Sequence, residues 1–335
     1  MGRTRIMGKP EIDAFGAGRL FTLTNRNDMR LVLTDIGAAI VGIVVRGIDV
    51  ALGYDSAEGY LHSPDAHGAI VGRIANRIGG ARITIDGVFY QLDKNDGANS
   101  LHGGNSKYFH RIWGAEVLDD SSVKFTLHSP DGDQGLSGNA EIAVTYTLTD
   151  ANEIVIDYRA LADRATALNL TNHVYFNLNG HNAGAVGGHF LRLACSRFSE
   201  IDGGLIPTGA WLPVAGTPMD FTRGKSLGAD ADDDFEQLRL VGGYDHNYLM
   251  DTPSLDTPFA VVVGDMSGIR LEVYTDLPGV QLYGGNFLRG SHGGKGGARY
   301  GYREGFCLET QFFPNAPRIL RAGELFDSRT VYRVL

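Results

Sequence analysis

Alternation of apolar and polar residues is the main pattern along this chain. Every second residue is apolar or aromatic in 142–148, and the alternation resumes in 154–158 after a break at 150–152. This period of two predicts two antiparallel strands joined by a turn. An Asp-Gly pair lies in the middle of the β-rich segment 83–90, which predicts a hairpin.

The same signals predict further strands, at 20–24, 30–34, 123–128, 190–194, 259–263, 269–275, 279–284, 305–312 and 330–334. Short turns separate them and long helical patterns are missing, which is typical of a sandwich rather than of βαβ units. We therefore expect an all-β fold, a large antiparallel β-sandwich formed by a single domain over 1–335. Two segments are expected to be loops: the glycine-rich 289–304, which should be mobile, and the acidic 230–234, which should be solvated.

Composition narrows the class of protein. Apolar residues make up 43% of the chain, enough for a sizeable core. The net charge of −9 argues against a nucleic-acid partner and against an anionic membrane surface. Cys195 and Cys307 are too few for a disulfide framework. Because no signal peptide or membrane-spanning apolar stretch is visible, we expect a cytoplasmic protein, and the sequence leaves its oligomeric state open.

Strand parity indicates where chemistry could lie, because residues two apart share a face. We interpret 167–178 as a strand whose apolar residues oppose a polar face carrying His173. In the same way, Gln281 and Glu309 each lie opposite apolar neighbours in their own strands. If these strands are neighbours, the three side chains converge on one concave surface. A carboxylate among apolar residues has a raised pKa unless it is paired, which suits a general acid or base.

Turn segments rich in glycine supply further polar groups, namely Arg73, Asn76, Arg77, His102 and Asp245. Donors and acceptors of this kind are needed to bind a polyhydroxylated ligand. The alternative, for the turns as for each strand, is a polar surface that is simply solvated.

Several competing motifs are incomplete. The lysine of 293–297 is not followed by Ser or Thr, so the segment is not a phosphate loop. The acidic run 230–234 lacks the glycine and glutamate of a calcium loop. There is no His-Glu-x-x-His, no paired cysteine and no Gly-x-Ser-x-Gly. Phosphate, metal and esterase chemistry are therefore disfavoured.

Six segments, in the same order along the chain, together resemble the aldose 1-epimerases, also called galactose mutarotases: 72–78, 99–104, 171–178, 245–247, 279–283 and 306–311. The similarity spans roughly residues 20 to 335. It implies a β-supersandwich with an open sugar cleft, in agreement with the strand pattern.

The resemblance also implies roles for individual residues. Glu309 matches the general base of the family and His173 its general acid, and we expect them to face each other across a gap one sugar ring wide. The residues that match sugar-binding positions, or that assist the ring oxygen, are Asn76, Arg77, His102, Asp245 and Gln281. The implied partner is a monosaccharide, with no cofactor and no metal, because opening and closing a hemiacetal needs only proton transfers.

Two alternatives remain at this point. A hexose-6-phosphate epimerase would need an added cationic pocket, and a catalytically silent sugar-binding or regulatory protein would not need both His173 and Glu309. The sequence does not indicate whether galactose, glucose or a pentose is preferred. The segment that follows Pro317 is shorter than is usual in the family, and this departure bears on substrate preference more than on chemistry.

Overall fold

The computed structural model describes residues 9–290 and 293–335. Antiparallel strands dominate these residues, in agreement with the all-β expectation. In chain order the strands are β1 (Glu11–Phe15), β2 (Gly18–Thr24), β3 (Arg30–Thr34), β4 (Ala39–Val45), β5 (Ile48–Asp49), β6 (Ile70–Val71), β7 (Arg77–Ile78), β8 (Arg82–Ile85), β9 (Val88–Gln91), β10 (Ser100–Leu101), β11 (Gly114–Asp119), β12 (Ser122–Ser129), β13 (Ala140–Leu148), β14 (Glu153–Ala162), β15 (Thr166–Leu168), β16 (Thr171–Asn172), β17 (Phe190–Leu193), β18 (Arg197–Ile201), β19 (Pro207–Pro213), β20 (Lys225–Ser226), β21 (Asp245–Leu249), β22 (Ala260–Val263), β23 (Arg270–Thr275), β24 (Gly279–Tyr283), β25 (Cys307–Gln311), β26 (Arg318–Leu320) and β27 (Leu325–Val334).

Helices are short. The α-helices are α1 (Ala57–His62) and α2 (Glu236–Val241), and 3₁₀ turns occur at Gly79–Ala81, Tyr108–His110, Asp133–Gly135, Val186–Gly188 and Lys295–Gly297. No helix in the described part of the chain is long and apolar enough to cross a membrane.

Three large sheets form the body of the protein. The largest has nine strands in the order β11-β12-β13-β14-β27-β23-β22-β17-β20. Of the two five-stranded sheets, one runs β1 to β5 in sequence order and the other is ordered β19-β18-β21-β24-β25. Neighbouring strands in all three are antiparallel, as the period-two pattern predicted.

The sheets pack on a shared apolar core, which makes the fold a sandwich. Alternate residues of the nine-stranded sheet, such as Tyr146 and Tyr332, are fully buried in this core. Their hydroxyls reach the opposite layer: Tyr146 donates to the carbonyl oxygen of Ala38 at 2.7 Å, and Tyr332 to that of Leu308 at 3.4 Å. The nine-stranded sheet thus forms one layer and the two five-stranded sheets the other.

The local predictions can be compared with these strands. The hairpin at 83–90 is confirmed as β8 and β9, and Asp86 and Gly87 at its turn have φ of 51° and 80°, the left-handed conformation that such a turn requires. The predicted strand at 30–34 has the bounds of β3. The strands β4, β11, β18 and β19 are present although no pattern predicted them.

The prediction of one strand over 167–178 is wrong, because only β15 and β16 within it form ladders. Asparagine side chains take over backbone hydrogen bonds here: Asn169 Oδ1 accepts from the N–H of Phe312, and Asn172 Oδ1 from that of Val174. The bond between Asn172 and Val174 is local, and bonds of this kind compete with a regular ladder. The predicted faces are nevertheless correct, since the apolar set, which includes Val174, lies in the main core.

The glycine-rich segment is a loop, but part of it is packed against the protein. Lys295 is buried, and its ammonium donates to the carbonyl oxygen of Val41 at 2.8 Å and to Asp49 at 2.6 Å. Tyr300 is also buried. Residues 291 and 292 lie outside the described residues. The acidic residues 232–234 are exposed, as expected.

Candidate active site

The outer face of the sheet β19-β18-β21-β24-β25 carries the candidate site. In β25 the even-numbered Leu308 lies in the core, so the odd-numbered Glu309 points to the opposite face. Gln281 in β24 is the register partner of Glu309. In the next row, Tyr283 of β24 lies between Asp245 of β21 and Cys307 of β25. Strand register therefore brings these polar side chains together, as parity predicted.

His173 reaches the same place from the segment that follows β16. Its backbone is fixed on both sides, because its N–H donates to the carbonyl oxygen of Ala69 and its own carbonyl accepts from the N–H of Gly68, both at 2.9 Å. The imidazole lies against the ring of Tyr175, with centroids 4.9 Å apart. His173 Nε2 is 3.6 Å from Glu309 Oε1. Two residues more than a hundred positions apart in sequence thus form one pair.

The expected gap of one sugar ring between this acid and base is wrong. At 3.6 Å there is no room for a ring between the two side chains. They lie side by side along one wall of the site. Side-by-side groups can still serve one reaction centre when the two atoms that exchange protons are bonded to the same carbon, as the ring oxygen and the hydroxyl oxygen of a hemiacetal are.

Burial controls the protonation of this pair. It raises the pKa of Glu309 well above its usual value, an effect that the nearby carboxyl of Asp245 strengthens and Arg77 opposes. Burial also lowers the pKa of His173 to about 4. Glu309 Oε2 is buried and has no hydrogen-bond partner among the described residues. Together the two side chains favour one shared proton and the uncharged form of each.

Arg77 and Asp245 form a polar group beside the pair. Arg77 Nε donates to Asp96 Oδ2 at 2.9 Å, and its Nη1 is 3.6 Å from Asp245 Oδ2. Gln281 Nε2 donates to Asp245 Oδ1 at 2.7 Å. Burial still raises the pKa of Asp245, although Arg77 opposes the effect. Gln281 therefore holds Asp245 from behind and does not itself line the pocket.

His102 and Asn76 fix each other in strained turns. Their φ values of 54° and 66° lie in the left-handed region, which costs free energy for residues other than glycine. The N–H of Asn76 donates to His102 Nδ1 at 3.1 Å, so the hydrogen of the neutral ring is on Nε2. Burial, with the charges of His173 and Arg77, keeps the pKa of His102 well below its usual value. His102 is thus a neutral hydrogen-bond donor.

These groups line a pocket of about 160 Å³. The sequence-predicted residues that line it are Asn76, Arg77, His102, His173, Asp245 and Glu309. The sequence reasoning did not assign the other lining residues to the site: Pro64, Asp65, Ala66, Leu101, Tyr175, Tyr283 and Phe287. The faces that hold the two tyrosines were identified from parity, whereas Asp65 and Phe287 lie in loops, where no periodic pattern exists to find them. No lining residue comes from the shortened segment after Pro317.

Aromatic rings give the pocket its apolar side. The ring of Tyr283 stacks on that of Phe287 at 6.0 Å, and its hydroxyl accepts a hydrogen bond from the N–H of Phe287 at 2.8 Å. Tyr175 meets Tyr283 edge to face at 5.8 Å. Apolar ring faces beside convergent polar groups suit a monosaccharide, which has both C–H and O–H surfaces.

A metal ion is a second possibility for part of this site. One donor atom each of His173, Cys307 and Glu309 lie within 4.8 Å of one another. However, the short approaches involve different nitrogens of the imidazole, Nδ1 toward Cys307 at 3.6 Å and Nε2 toward Glu309 at 3.6 Å. One ion binds only one of these nitrogens, so the two shortest approaches do not converge on a common ion position.

Known proteins are similar to this chain in both sequence and fold. The aldose 1-epimerase family model matches residues 19–333. The galactose mutarotase of Bos taurus is 40% identical over 95% of each chain, and the aldose 1-epimerase of Escherichia coli K12 is 37% identical over 95% of each. The crystal structure of a galactose 1-epimerase from Lactobacillus acidophilus superposes with a TM-score of 0.88 at 26% identity, covering 98% of each chain. The chain belongs to the aldose 1-epimerase family.

Proposed function

We propose that this protein interconverts the α and β anomers of a free aldose such as galactose or glucose, with Glu309 and His173 as the acid/base pair. The observation that carries the proposal is the 3.6 Å approach of His173 Nε2 to Glu309 Oε1 at the wall of a pocket the size of a small ligand. The relatives named galactose mutarotase and aldose 1-epimerase support the same reaction.

Ring opening needs two proton transfers, one at each of the two oxygen atoms bonded to C1. Glu309 removes the proton of the hydroxyl on C1, while the imidazolium of His173 delivers a proton to the ring oxygen. The bond between C1 and the ring oxygen breaks and a C1 carbonyl forms. Rotation about C1–C2 followed by the reverse transfers closes the ring on the other face. Each assisted transfer accelerates the reaction by roughly 10²–10⁴-fold.

Burial favours the products of the ring-opening step. The step converts a carboxylate and an imidazolium into a neutral carboxyl and a neutral imidazole. The raised pKa of Glu309 and the lowered pKa of His173 both stabilise this uncharged state. The reacting carboxylate–imidazolium form carries the same single proton as the uncharged resting pair, so it arises by proton transfer between the two side chains, and burial then favours its conversion into the uncharged products.

The surrounding residues hold the sugar. The Nε2–H of His102 is a donor for a sugar oxygen, and because the ring is neutral it does not compete with His173 for a proton. Arg77 and Asp245 supply a donor and an acceptor for hydroxyl groups, and Asn76 lines the same wall. Gln281 acts through Asp245, which it orients.

A phosphorylated sugar is a poorer match. Among the described lining residues Arg77 is the one Arg or Lys, and its guanidinium is already bonded to Asp96. The same lining carries the carboxyl groups of Asp65, Asp245 and Glu309. A dianionic phosphate would have to approach these groups without a free cationic partner.

Polarimetry of freshly dissolved α-galactose and α-glucose tests the proposal. The wild type should accelerate the approach to equilibrium rotation, and glucose 6-phosphate should respond far less. Glu309→Gln keeps the shape but cannot accept the proton, so we expect the rate to fall by about 10³-fold or more, and His173→Asn by about 10²-fold.

Glu272→Gln is the matched control. Glu272 is also buried in a strand, but it lies in the nine-stranded sheet and accepts from Tyr274 at 2.7 Å. Its replacement should leave the rate unchanged. If Glu309→Gln retained the wild-type rate, the assignment of the base would be wrong. If neither sugar responded to the wild type but both bound, the protein would be a silent sugar-binding protein.

The pH dependence follows from the shared proton. The pair carries one proton from about pH 4, where His173 titrates, up to the raised pKa of Glu309. The rate should be flat between these limits and fall outside them. A rate that instead falls as the pH drops through 6.5, the ordinary pKa of histidine, would contradict the argument that burial lowers the pKa of His173.

A cytoplasmic location stays a prediction from the sequence.

A further inference from the structure

The imidazole of His173 has a second neighbour that the proposed reaction does not use. Its Nδ1 is 3.6 Å from the sulfur of Cys307. Cys307 and Glu309 lie two residues apart on one face of β25, so a single strand supplies the groups at both ring nitrogens. Nε2 lies next to Glu309, and in the proposed reaction it exchanges a proton with the sugar. Nδ1, the ring nitrogen that faces the sulfur, has no assigned purpose.

The sulfur of Cys307 is that of a thiol and not of a thiolate. Burial raises the pKa of Cys307 well above its usual value, and the carboxyls of Glu309 and Asp245 add to the effect. A neutral sulfur is a weak hydrogen-bond acceptor. It can orient an N–H group without the strong increase in basicity that a carboxylate behind a histidine produces.

We propose that Cys307 is a positioning residue whose sulfur accepts a hydrogen bond from the Nδ1–H of His173, so that Nε2 is the nitrogen that exchanges a proton with the sugar. The proposal rests on the proposed role of His173. Proton release from an imidazolium leaves a neutral ring with one hydrogen, and this contact keeps that hydrogen on Nδ1. A neutral acceptor also leaves the imidazolium a ready proton donor.

Apart from the hydrogen bond between the ring and the backbone of His173 itself, which raises its pKa, the other groups that face the ring do not replace this contact. His102 meets it edge-on at 5.4 Å, Tyr175 lies 4.9 Å away and Tyr283 6.4 Å away, measured between centroids. The pKa of His102 is lowered and those of both tyrosines are raised by burial, so all three are uncharged at neutral pH. Glu309 is the ionisable partner at Nε2, and Cys307 is the partner at Nδ1.

Three variants test the proposal by polarimetry. Cys307→Ala removes the acceptor, so kcat should fall about tenfold while KM stays within twofold, because a misoriented acid keeps part of its roughly 10²–10⁴-fold contribution. Cys307→Ser restores an acceptor and should recover most of the lost kcat. Cys195→Ala is the matched control, since Cys195 is equally buried in the main core, and it should leave kcat unchanged.

Nitrogen-15 NMR of the His173 ring gives a readout that does not depend on activity. The wild type and Cys307→Ser should carry the hydrogen of the neutral ring on Nδ1, and Cys307→Ala should populate both tautomers. A wild-type hydrogen on Nε2, or a Cys307→Ala variant with full kcat and an unchanged ring spectrum, would overturn the proposal. If the wild type does not accelerate mutarotation at all, the proposed function fails, whereas the NMR result still decides the contact.

Discussion

Arg73 and Glu309 are equally buried, with 0% and 2% exposure, but their surroundings differ completely. The guanidinium of Arg73 is surrounded by acceptors: Nη1 donates to the carbonyl oxygens of Ser137 and Gly138 at 3.0 and 3.1 Å, and Nη2 to Ser129 Oγ at 2.6 Å. Glu309 instead has an oxygen with no partner among the described residues. Both environments bury an ionisable side chain, and only that of Arg73 provides hydrogen-bond partners for its polar atoms.

This difference separates structural burial from functional burial. A buried polar group without a partner costs roughly 1–3 kcal/mol, so a fold retains one only where something else compensates. At Arg73 the protein provides the partners and gains a fixed junction between loops. At Glu309 the described residues supply no partner for Oε2, and in the proposed reaction a hydroxyl of the sugar would take that place. The largest effects of mutation at the two sites should therefore fall on different quantities.

Arg73→Met should produce the largest loss of stability. The substitution keeps most of the volume but leaves the carbonyl oxygens of Ser129, Ser137 and Gly138 without their donor. We expect the free energy of unfolding to drop by about 3–5 kcal/mol, measured by urea denaturation. Arg239→Met is the control, because Arg239 is exposed and pairs with the exposed Asp234, and it should change stability by less than about 1 kcal/mol. Equal losses in the two variants would mean that the buried hydrogen bonds of Arg73 stabilise the protein no more than the exposed ion pair of Arg239.

Arg77→Met should have an intermediate effect, and mainly on binding. Arg77 lines the pocket, and its partner Asp96 is 35% exposed, so this carboxylate regains water when the arginine is lost. We expect KM for the aldose to rise about tenfold, which corresponds to about 1.4 kcal/mol, with a smaller loss of stability than in Arg73→Met. Sugar titrations followed by polarimetry measure the first quantity and urea denaturation the second. A KM that stays at the wild-type value would place Arg77 with Arg73 among the structural arginines.

The two arginines also show how much of the candidate site can be predicted from the sequence. Both belong to the segment 72–78, and nothing in the pattern tells which one faces a ligand, because that depends on loops from 129–138 that meet Arg73 only in three dimensions. Strand parity did identify the faces of Gln281 and Glu309, since alternation is a local property. The side-by-side arrangement of His173 and Glu309 and the contact of His173 with Cys307 depend on the irregular path of 167–178. Within it the side chains of Asn169 and Asn172 accept backbone N–H groups, which no periodicity reveals.

The last expected effect concerns the pH dependence of stability at the proposed catalytic pair. Glu309 has a folded pKa above its unfolded value near 4.5, so its contribution to stability is complete below pH 4.5 and is lost as the pH rises toward the folded pKa. His173 has a folded pKa of about 4, below its unfolded value near 6.5, so its contribution is complete above pH 6.5 and is lost as the pH falls toward 4.

Substitution should therefore give difference curves of opposite sign. Relative to the wild type, Glu309→Gln should become more stable as the pH rises above 4.5, and His173→Asn should become more stable as the pH falls below 6.5, each by at most about 1.4 kcal/mol per pH unit for one proton. Urea denaturation at a series of pH values measures both curves, and subtraction from the wild type cancels the groups that the variants share. Two flat curves would mean that burial does not hold this pair in its uncharged form, and the contrast with the fully bonded Arg73 would then be one of hydrogen bonding alone.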